Sequence, residues 1–266
     1  MTLAADQFEF IRGLLEEQAG MVLEADQDKF VAGRLLPVAQ RHGWTHLDPL
    51  IARLQDQNDR VLAQEVIESL VTHETSFFRD AHYFDELAER ILPRLIARRA
   101  PERRLSIWCA ACSTGQEAYS VAMILRERFA QQLTDWTVEL YATDLSSAAL
   151  QHAQAGRYSD VEVRRGLSGA RLSQHFRCEP TGWRIDDRIK QAVRFQQMNL
   201  NGTWPQFPTL DLILVRNVLV YMSPATRQTI LTRIQRMLHP EGCLMLGSSE
   251  SASVPNLRVA TVRAVT

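Results

Sequence analysis

Trp108-Cys-Ala-Ala-Cys112 sets two cysteines in a C-x-x-C pattern behind a tryptophan. That is what a thiol-disulfide oxidoreductase shows, where the reactive thiol opens a helix and the helix N-terminus lowers its pKa. Cys109, however, falls inside Leu105 to Ala111, a short and mostly apolar stretch that reads as a strand buried on both faces. The residues that follow suggest a second chemistry. Cys112-Ser113-Thr114-Gly115 is small and turn-prone, and from Gln116 the period changes, with Tyr119, Met123 and either Ala122 or Arg126 at helical spacing. Strand, small-residue turn and helix open a nucleotide-binding α/β fold, in which a ligand approaches backbone N–H groups at the helix N-terminus. An ordinary strand–helix connection has the same local pattern. The stretch lacks G-x-G-x-x-G, Gly115 being its only glycine, which argues against a nicotinamide dehydrogenase.

Further polar residues stand where other apolar runs end. Val138 to Asp144 reads as a second strand closed by an acid, the position that takes ribose hydroxyls in dinucleotide folds. The 29-residue distance from Gly115 to Asp144 fits a long first helix. Ser146 then caps a helix to about Gly156. Val193 to Gln197 leads into Met198-Asn199-Leu200, and Leu210 to Val215 into Arg216-Asn217-Val218. A helix from Thr226 to Leu238 starts at Ser223-Pro224, and Gly242 to Leu246 and Leu257 to Val265 supply closing strands. In a parallel sheet the strand C-termini share one rim, so Ser113, Asp144, Asn199, Asn217 and Gly247-Ser-Ser-Glu250 are expected to converge. There is no Ser-His-Asp set, and the seven histidines are scattered, so none is assigned to a metal.

Residues 1–75 read as a helical domain of four helices. Its stripes are Phe8, Ile11 and Leu15, then Phe30, Val31, Leu35 and Val38, then Leu47, Leu50, Ile51 and Leu54, then Leu62, Val66 and Leu70. Residues 76–104 form a linking segment and a helix with Phe84, Leu87, Ile91 and Leu95 on one face, ending in Arg94, Arg98, Arg99, Arg103 and Arg104. That basic run is either a solvated helix end or a surface for an acidic partner. Residues 105–266 are the α/β domain. It is interrupted at about 157–191 by an insertion whose Gln174 to Cys178 and Trp183 to Ile185 suggest a small antiparallel sheet around Glu179-Pro-Thr-Gly182. With 266 residues there is room for a sizeable core. A formal net charge of −1 gives no general pull toward nucleic acid or an anionic membrane. No apolar run approaches the roughly 20 residues that span a bilayer, and the N-terminus does not read as a signal peptide. Four cysteines make no disulfide framework in a chain this long, so a cytoplasmic protein is expected.

Five stretches together resemble the chemotaxis receptor methyltransferases of the CheR family: His73-Glu-Thr-Ser-Phe-Phe-Arg79, Ser113-Thr-Gly-Gln-Glu-Ala-Tyr-Ser120, Met198-Asn-Leu200, Arg216-Asn-Val-Leu-Val-Tyr221 and Gly247-Ser-Ser-Glu250. They occur in family order over nearly the whole chain. The resemblance implies a Rossmann-like class I methyltransferase sheet with an N-terminal helical domain and a small inserted β-subdomain. It implies transfer of a methyl group from S-adenosylmethionine to glutamate carboxylates on the cytoplasmic helical bundle of a methyl-accepting chemoreceptor, leaving S-adenosylhomocysteine. By position it assigns Thr75 and Arg79 to the methionine end of the cofactor, with His73 and Glu117 beside it, and Asp144 to the ribose. Asn199 and Leu200 go to adenine, and Asn217 and Val218 to the transferred methyl. Arg79 and Tyr221 are the residues carried over as catalytic. His73 stands where the family usually has Asn, Gln116 replaces the first Glu of Gly-Glu-Glu, and Ser248 stands where His is frequent. A monomer is expected, with neither nucleic-acid binding nor membrane insertion. The remaining readings are the Cys109/Cys112 oxidoreductase and a non-enzymatic adaptor that kept the fold. The short turn at 179–182 favours docking on the receptor's helices, with Arg94, Arg98, Arg99, Arg164, Arg165, Arg171, Arg177 and Arg184 as complementary charge.

Overall fold

The structure, a computed structural model, describes residues 2–56 and 59–251; the strand expected at Leu257 to Val265 lies outside them. These residues form two compact units. The first gathers the chain up to Thr72 with Asn199–Trp204 and Tyr221–Ile230. Its four N-terminal helices are α1 (Ala5–Ala19), α2 (Asp28–Arg41), α3 (Asp48–Gln55) and α4 (Arg60–Leu70). They bury Phe8, Ile11 and Leu15, then Val31, Leu35 and Val38, then Leu50 and Ile51, then Leu62, Val66 and Leu70, the stripes that i, i+3, i+4 spacing selects. Asp59 caps α4 by accepting the Leu62 N–H at 3.0 Å. Phe30 is half-exposed on the flank of α2.

The second unit opens with a loop at 73–80 and then α5 (Ala81–Glu86), a π-helical turn (Leu87–Ile91) and α6 (Leu92–Arg98). The sequence predicts one regular helix here. Pro93 has no N–H to give, and the ladder widens just before it, with Leu92 N–H bonding the Leu87 carbonyl.

The α/β core follows: β1 (Arg104–Ala110), α7 (Gln116–Phe129), β2 (Thr137–Asp144) and α8 (Ser147–Ala155). The insertion carries β3 (Arg157–Tyr158), α9 (Asp160–Arg164), α10 (Gly169–His175), β4 (Phe176–Glu179), β5 (Gly182–Ile185) and α11 (Asp187–Lys190). Then come β6 (Val193–Gln197), β7 (Leu210–Val215), a 3-10 turn at Leu219–Tyr221, α12 (Pro224–Met237), β8 (Leu238–Leu246) and α13 (Ser248–Ser251). The main sheet runs β6-β2-β1-β7-β8 with every pair parallel. Strand order reverses beside β1, so β1 and β7 flank the point where open α/β sheets bind ligands. β1 and β7 are almost wholly buried, which is why they read as unbroken apolar runs. Asp211 in β7 is the exception. Its carboxylate accepts the Ser106 N–H at 2.8 Å and pairs with Arg99 at 3.0 Å.

Two expectations are corrected. β8 begins at Leu238 rather than Gly242, because Leu238 already pairs with Leu210 before an irregularity in the ladder around Pro240. In the insertion, Gln174 and His175 end a helix instead of opening a strand, and the sheet has three strands in the order β3-β5-β4. The helices α9, α10 and α11 are four to seven residues long, too short for a periodic signal. No helix of the described residues is long and apolar enough to cross a membrane.

Candidate active site

Three loops at the C-terminal rim of the sheet carry the second unit's polar residues: the turn after β1, the loop at 73–80 and the turn after β7. The first is built around Asp144. This carboxylate, 5% exposed, accepts the Ser113 N–H at 2.7 Å and the Ser146 N–H at 2.9 Å. It therefore ties the end of β2 to the turn after β1 and starts α8 at once. Ser113 Oγ donates to the His73 carbonyl at 3.1 Å, bringing the 73–80 loop onto the same turn. Tyr158, the first buried residue of the insertion, donates its hydroxyl to the Thr114 carbonyl at 2.7 Å. Gly115 begins α7 with a φ of 91°, and a Cβ there would lie 2.8 Å from Ala153 Cβ. That is the close approach for which a glycine is required.

The second constellation is centred on Arg216, which is 6% exposed. One guanidinium nitrogen donates to Glu117 Oε2 at 2.9 Å; another donates to Asp80 Oδ2 at 2.9 Å and the Arg79 carbonyl at 3.0 Å. The guanidinium also lies over the Tyr83 ring at 4.5 Å. One planar fork thus joins β7, α7 and the 73–80 loop. Burial pushes the Glu117 carboxyl up; Arg216 and Arg79 pull it back and Glu250 pushes it up again.

The third is the turn after β7, where Asn217 adopts a φ of 60°. Glu250 accepts the backbone N–H groups of Asn217, Val218 and Leu219 at 2.7–2.8 Å. Among the described residues six non-glycines have left-handed φ, and Phe78, Asp80, Ala111, Ser113 and Asn217 all lie in these loops. Such conformations cost about 1–3 kcal/mol each and persist where surrounding bonds over-determine them, which marks functional segments.

His73, Thr75, Arg79, Glu117, Asp144, Asn217 and Val218 accordingly belong to one unit, in these loops or at the ends of β2 and α7 that adjoin them. Of the rest, Asn199, Leu200 and Tyr221 belong to the other unit. There the Asn199 side chain donates to the Gln18 carbonyl at 2.6 Å and accepts the Asn201 N–H at 2.8 Å, closing the C-terminus of α1. Leu200 is buried, and Tyr221 is 44% exposed with its carbonyl accepting the Val22 N–H. Arg216 and Glu250 stand in the sequence motifs, but the sequence assigns them no role. Their partners are remote residues or backbone groups, which local spacing does not reveal.

Cys109 and Cys112 are free and buried, and burial holds both thiols well above the usual range, with nearby acids adding to the effect. A thiol kept protonated is a poor nucleophile, so the oxidoreductase reading has no support. Most of the arginines expected to face a partner are occupied. Arg99 pairs with Asp211, Arg98 with Glu241, Arg164 with Asp160, Arg165 with Glu74 and Arg184 with Asp187. Arg171 is bidentate to Glu127 at 3.0–3.2 Å and stacks 3.8 Å over the Phe78 ring. Arg177 is exposed.

Residues 73–264 match the family model described as CheR methyltransferase, SAM binding domain. The chain belongs to the CheR methyltransferase family. It is 37% identical to chemotaxis protein methyltransferase 1 of Pseudomonas aeruginosa, over 94% of this chain and 92% of that one. It is 35% identical to chemotaxis protein methyltransferase Cher2 of Pseudomonas putida, over 92% and 90%. A solved glycopeptide N-methyltransferase, MtfA in complex with S-adenosylmethionine, is a distant likeness, with a TM-score of 0.39 at 11% identity over 66% of this chain and 51% of that one. The CheR family chain is therefore an S-adenosylmethionine-dependent methyltransferase of chemotaxis. The donor set at the rim suits that cofactor: carboxylates at Glu117 and Asp144 for an ammonium and a ribose diol, and Arg79 for a carboxylate.

Proposed function

We propose that this enzyme esterifies glutamate side chains on the helical bundle of a chemoreceptor, acting in the cytoplasm as a monomer. The carrying observation is the rim of β1, β2 and β7. It offers Asp144, Glu117 and the Arg79 guanidinium, which donates to the Glu74 carbonyl, as charged groups, while the buried thiols of Cys109 and Cys112 are held protonated. S-adenosylmethionine, when bound, supplies an electrophilic sulfonium methyl that a carboxylate oxygen attacks as the C–S bond breaks to a neutral thioether. A glutamate with a pKa of about 4.3 is already ionised at neutral pH, so the protein needs no general base. What remains for it is alignment and exclusion of water, and such alignment can be equivalent to effective molarities of ~10⁵ M or more.

In this reading Asp144, at the end of β2, takes the ribose hydroxyls. Arg79 and Thr75 hold the methionine carboxylate, and Glu117 holds the ammonium beside His73. Asn217 and Val218 line the methyl position, with Tyr221 serving the transfer step. Asn199 and Leu200 are proposed for adenine, Asn199 through its backbone because its side chain is engaged with α1. The domain division proposed is 1–75, 76–104 and 105–266 with the insertion at about 157–191, and the insertion is proposed to dock on the receptor.

The test is transfer of labelled methyl from S-adenosylmethionine to receptor-bearing membranes, with the label released as methanol by mild base. Base-stable label would exclude a carboxyl ester. Asp144→Asn keeps the size of the side chain and removes its charge. It should weaken S-adenosylhomocysteine binding by about 1.5–3 kcal/mol in calorimetry, and unchanged affinity would remove Asp144 from the site.

A further inference from the structure

Glu250 lies outside every role assigned so far, yet it is 1% exposed and accepts four backbone N–H groups. Oε1 takes Val218 at 2.8 Å and Leu219 at 2.7 Å; Oε2 takes Asn217 at 2.8 Å and Gly247 at 2.8 Å. Among the described residues no lysine, arginine or histidine forms an ion pair with it, so the buried charge is satisfied by backbone donors. Three of those donors are the consecutive residues leaving β7, at the left-handed Asn217. A Cβ at position 247 would stand 2.5 Å from Glu250 Oε2 and 3.2 Å from the Asn217 nitrogen, so the chain must carry glycine there for the carboxylate to enter. The segments at 215–219 and 246–250 are thus locked together through one side chain.

We propose that Glu250 is a positioning residue for methyl transfer, its carboxylate fixing the turn that presents Asn217 and Val218 to the cofactor. The inference rests on the assignment of Asn217 and Val218 to the methyl position. Four N–H donors need four acceptor lone pairs. A carboxylate has them at the right reach; the amide of glutamine turns an NH2 toward two of the donors, and aspartate is one methylene short. An unclamped turn is free to leave the left-handed conformation, and a displacement of about 1 Å at a reacting centre costs on the order of 100-fold in rate.

Glu250→Gln and Gly247→Ala test this by independent routes, the first removing acceptors and the second displacing the carboxylate with its charge intact. Both are expected to bind S-adenosylhomocysteine at least about tenfold more weakly in calorimetry, the equivalent of losing one charge-assisted bond. Both should lower kcat about 100-fold with the KM for receptor unchanged. Glu127→Gln, which weakens the ion pair with Arg171 elsewhere in the unit, supplies the control. If Glu250 were merely structural, affinity would follow melting temperature across all three variants, and Glu127→Gln would lose it too. Wild-type affinity and kcat in folded Glu250→Gln overturn the proposal. If that variant does not fold, the same values in Gly247→Ala overturn it. Wild-type protein that fails to bind S-adenosylhomocysteine overturns the cofactor reading itself.

Discussion

Glu117 sits where burial and charge oppose each other. Desolvation raises its pKa above the usual carboxylate range and the Glu250 charge adds to that, while Arg216 and Arg79 lower it; Asp80 shares the Arg216 fork. A carboxyl raised in the folded state binds its proton more tightly there than in the unfolded chain. Its contribution to stability therefore falls as pH rises from the unfolded pKa through the folded one. Cofactor binding opposes this, because an ammonium partner requires the ionised form. The affinity for S-adenosylhomocysteine should accordingly increase as pH rises above the ordinary glutamate range, with a proton released on binding. Arg216→Lys keeps one charge but loses the fork that holds Glu117, Asp80 and the Arg79 carbonyl at once, so it should move that curve to higher pH and weaken binding about tenfold at neutral pH. Calorimetry across pH 5–8 in two buffers of different ionisation enthalpy measures both effects. A pH-independent affinity shared by wild type and variant would remove Glu117 from the ammonium. The thiols are expected to be dispensable: Cys109→Ala with Cys112→Ala should still transfer methyl groups, and a folded double variant with no turnover would revive a thiol mechanism.

At the scale of elements, the insertion is fastened to the core by side chains more than by backbone. Glu127 near the end of α7 receives Arg171 through two oxygens and lies 2.7 Å from His175 Nε2, while Arg171 covers Phe78 in the 73–80 loop. These partners hold the Glu127 carboxyl below the usual range against its partial burial. Arg171→Glu replaces the pair with two like charges and should cost about 1–3 kcal/mol of stability at neutral pH. The deficit should shrink as pH falls through the lowered Glu127 pKa, where wild type loses its pair as well. Thermal melts at several pH values check this, with S-adenosylhomocysteine affinity expected to stay put. The sequence offers Arg171 as a docking charge, because composition shows that an arginine is present but not that a glutamate 44 residues earlier claims it. What could be read were the elements with strong periods: β1 and β7 as apolar runs, the four N-terminal helices, and Asp144 at a strand end. What could not be read were the partners of Arg216 and Glu250, which are brought close only by the sheet, and the π-helical turn, which a single proline inside a well-patterned helix does not announce.

For the molecule as a whole, a net charge of −1 gives no long-range attraction to a glutamate-rich receptor, so encounter must depend on local charge. Internal ion pairs consume most of the basic residues, but the inserted sheet keeps a distinct arrangement. Arg157 stands opposite Arg184, and Arg184 opposite Arg177, so one face of β3-β5-β4 carries three arginines in a row. Like charges directly opposite each other destabilise a sheet. Arg157 is relieved by Glu179 and Arg184 by Asp187, whereas Arg177 is exposed at the end of the row and forms no ion pair among the described residues. An acidic helix laid across that face would relieve the rest. Arg177→Glu should therefore raise the KM for receptor about two- to fivefold at low salt, the scale of one exposed charge contact. The difference should vanish by roughly 0.5 M salt, where the screening length is only a few ångströms. Because Arg177 touches no part of the rim described above, S-adenosylhomocysteine affinity and melting temperature should not follow. Initial rates of receptor methylation against receptor concentration, at low and high salt, separate the outcomes. Equal KM values with equal salt dependence would show that receptors dock elsewhere and that the arginine row serves only the packing of the insertion.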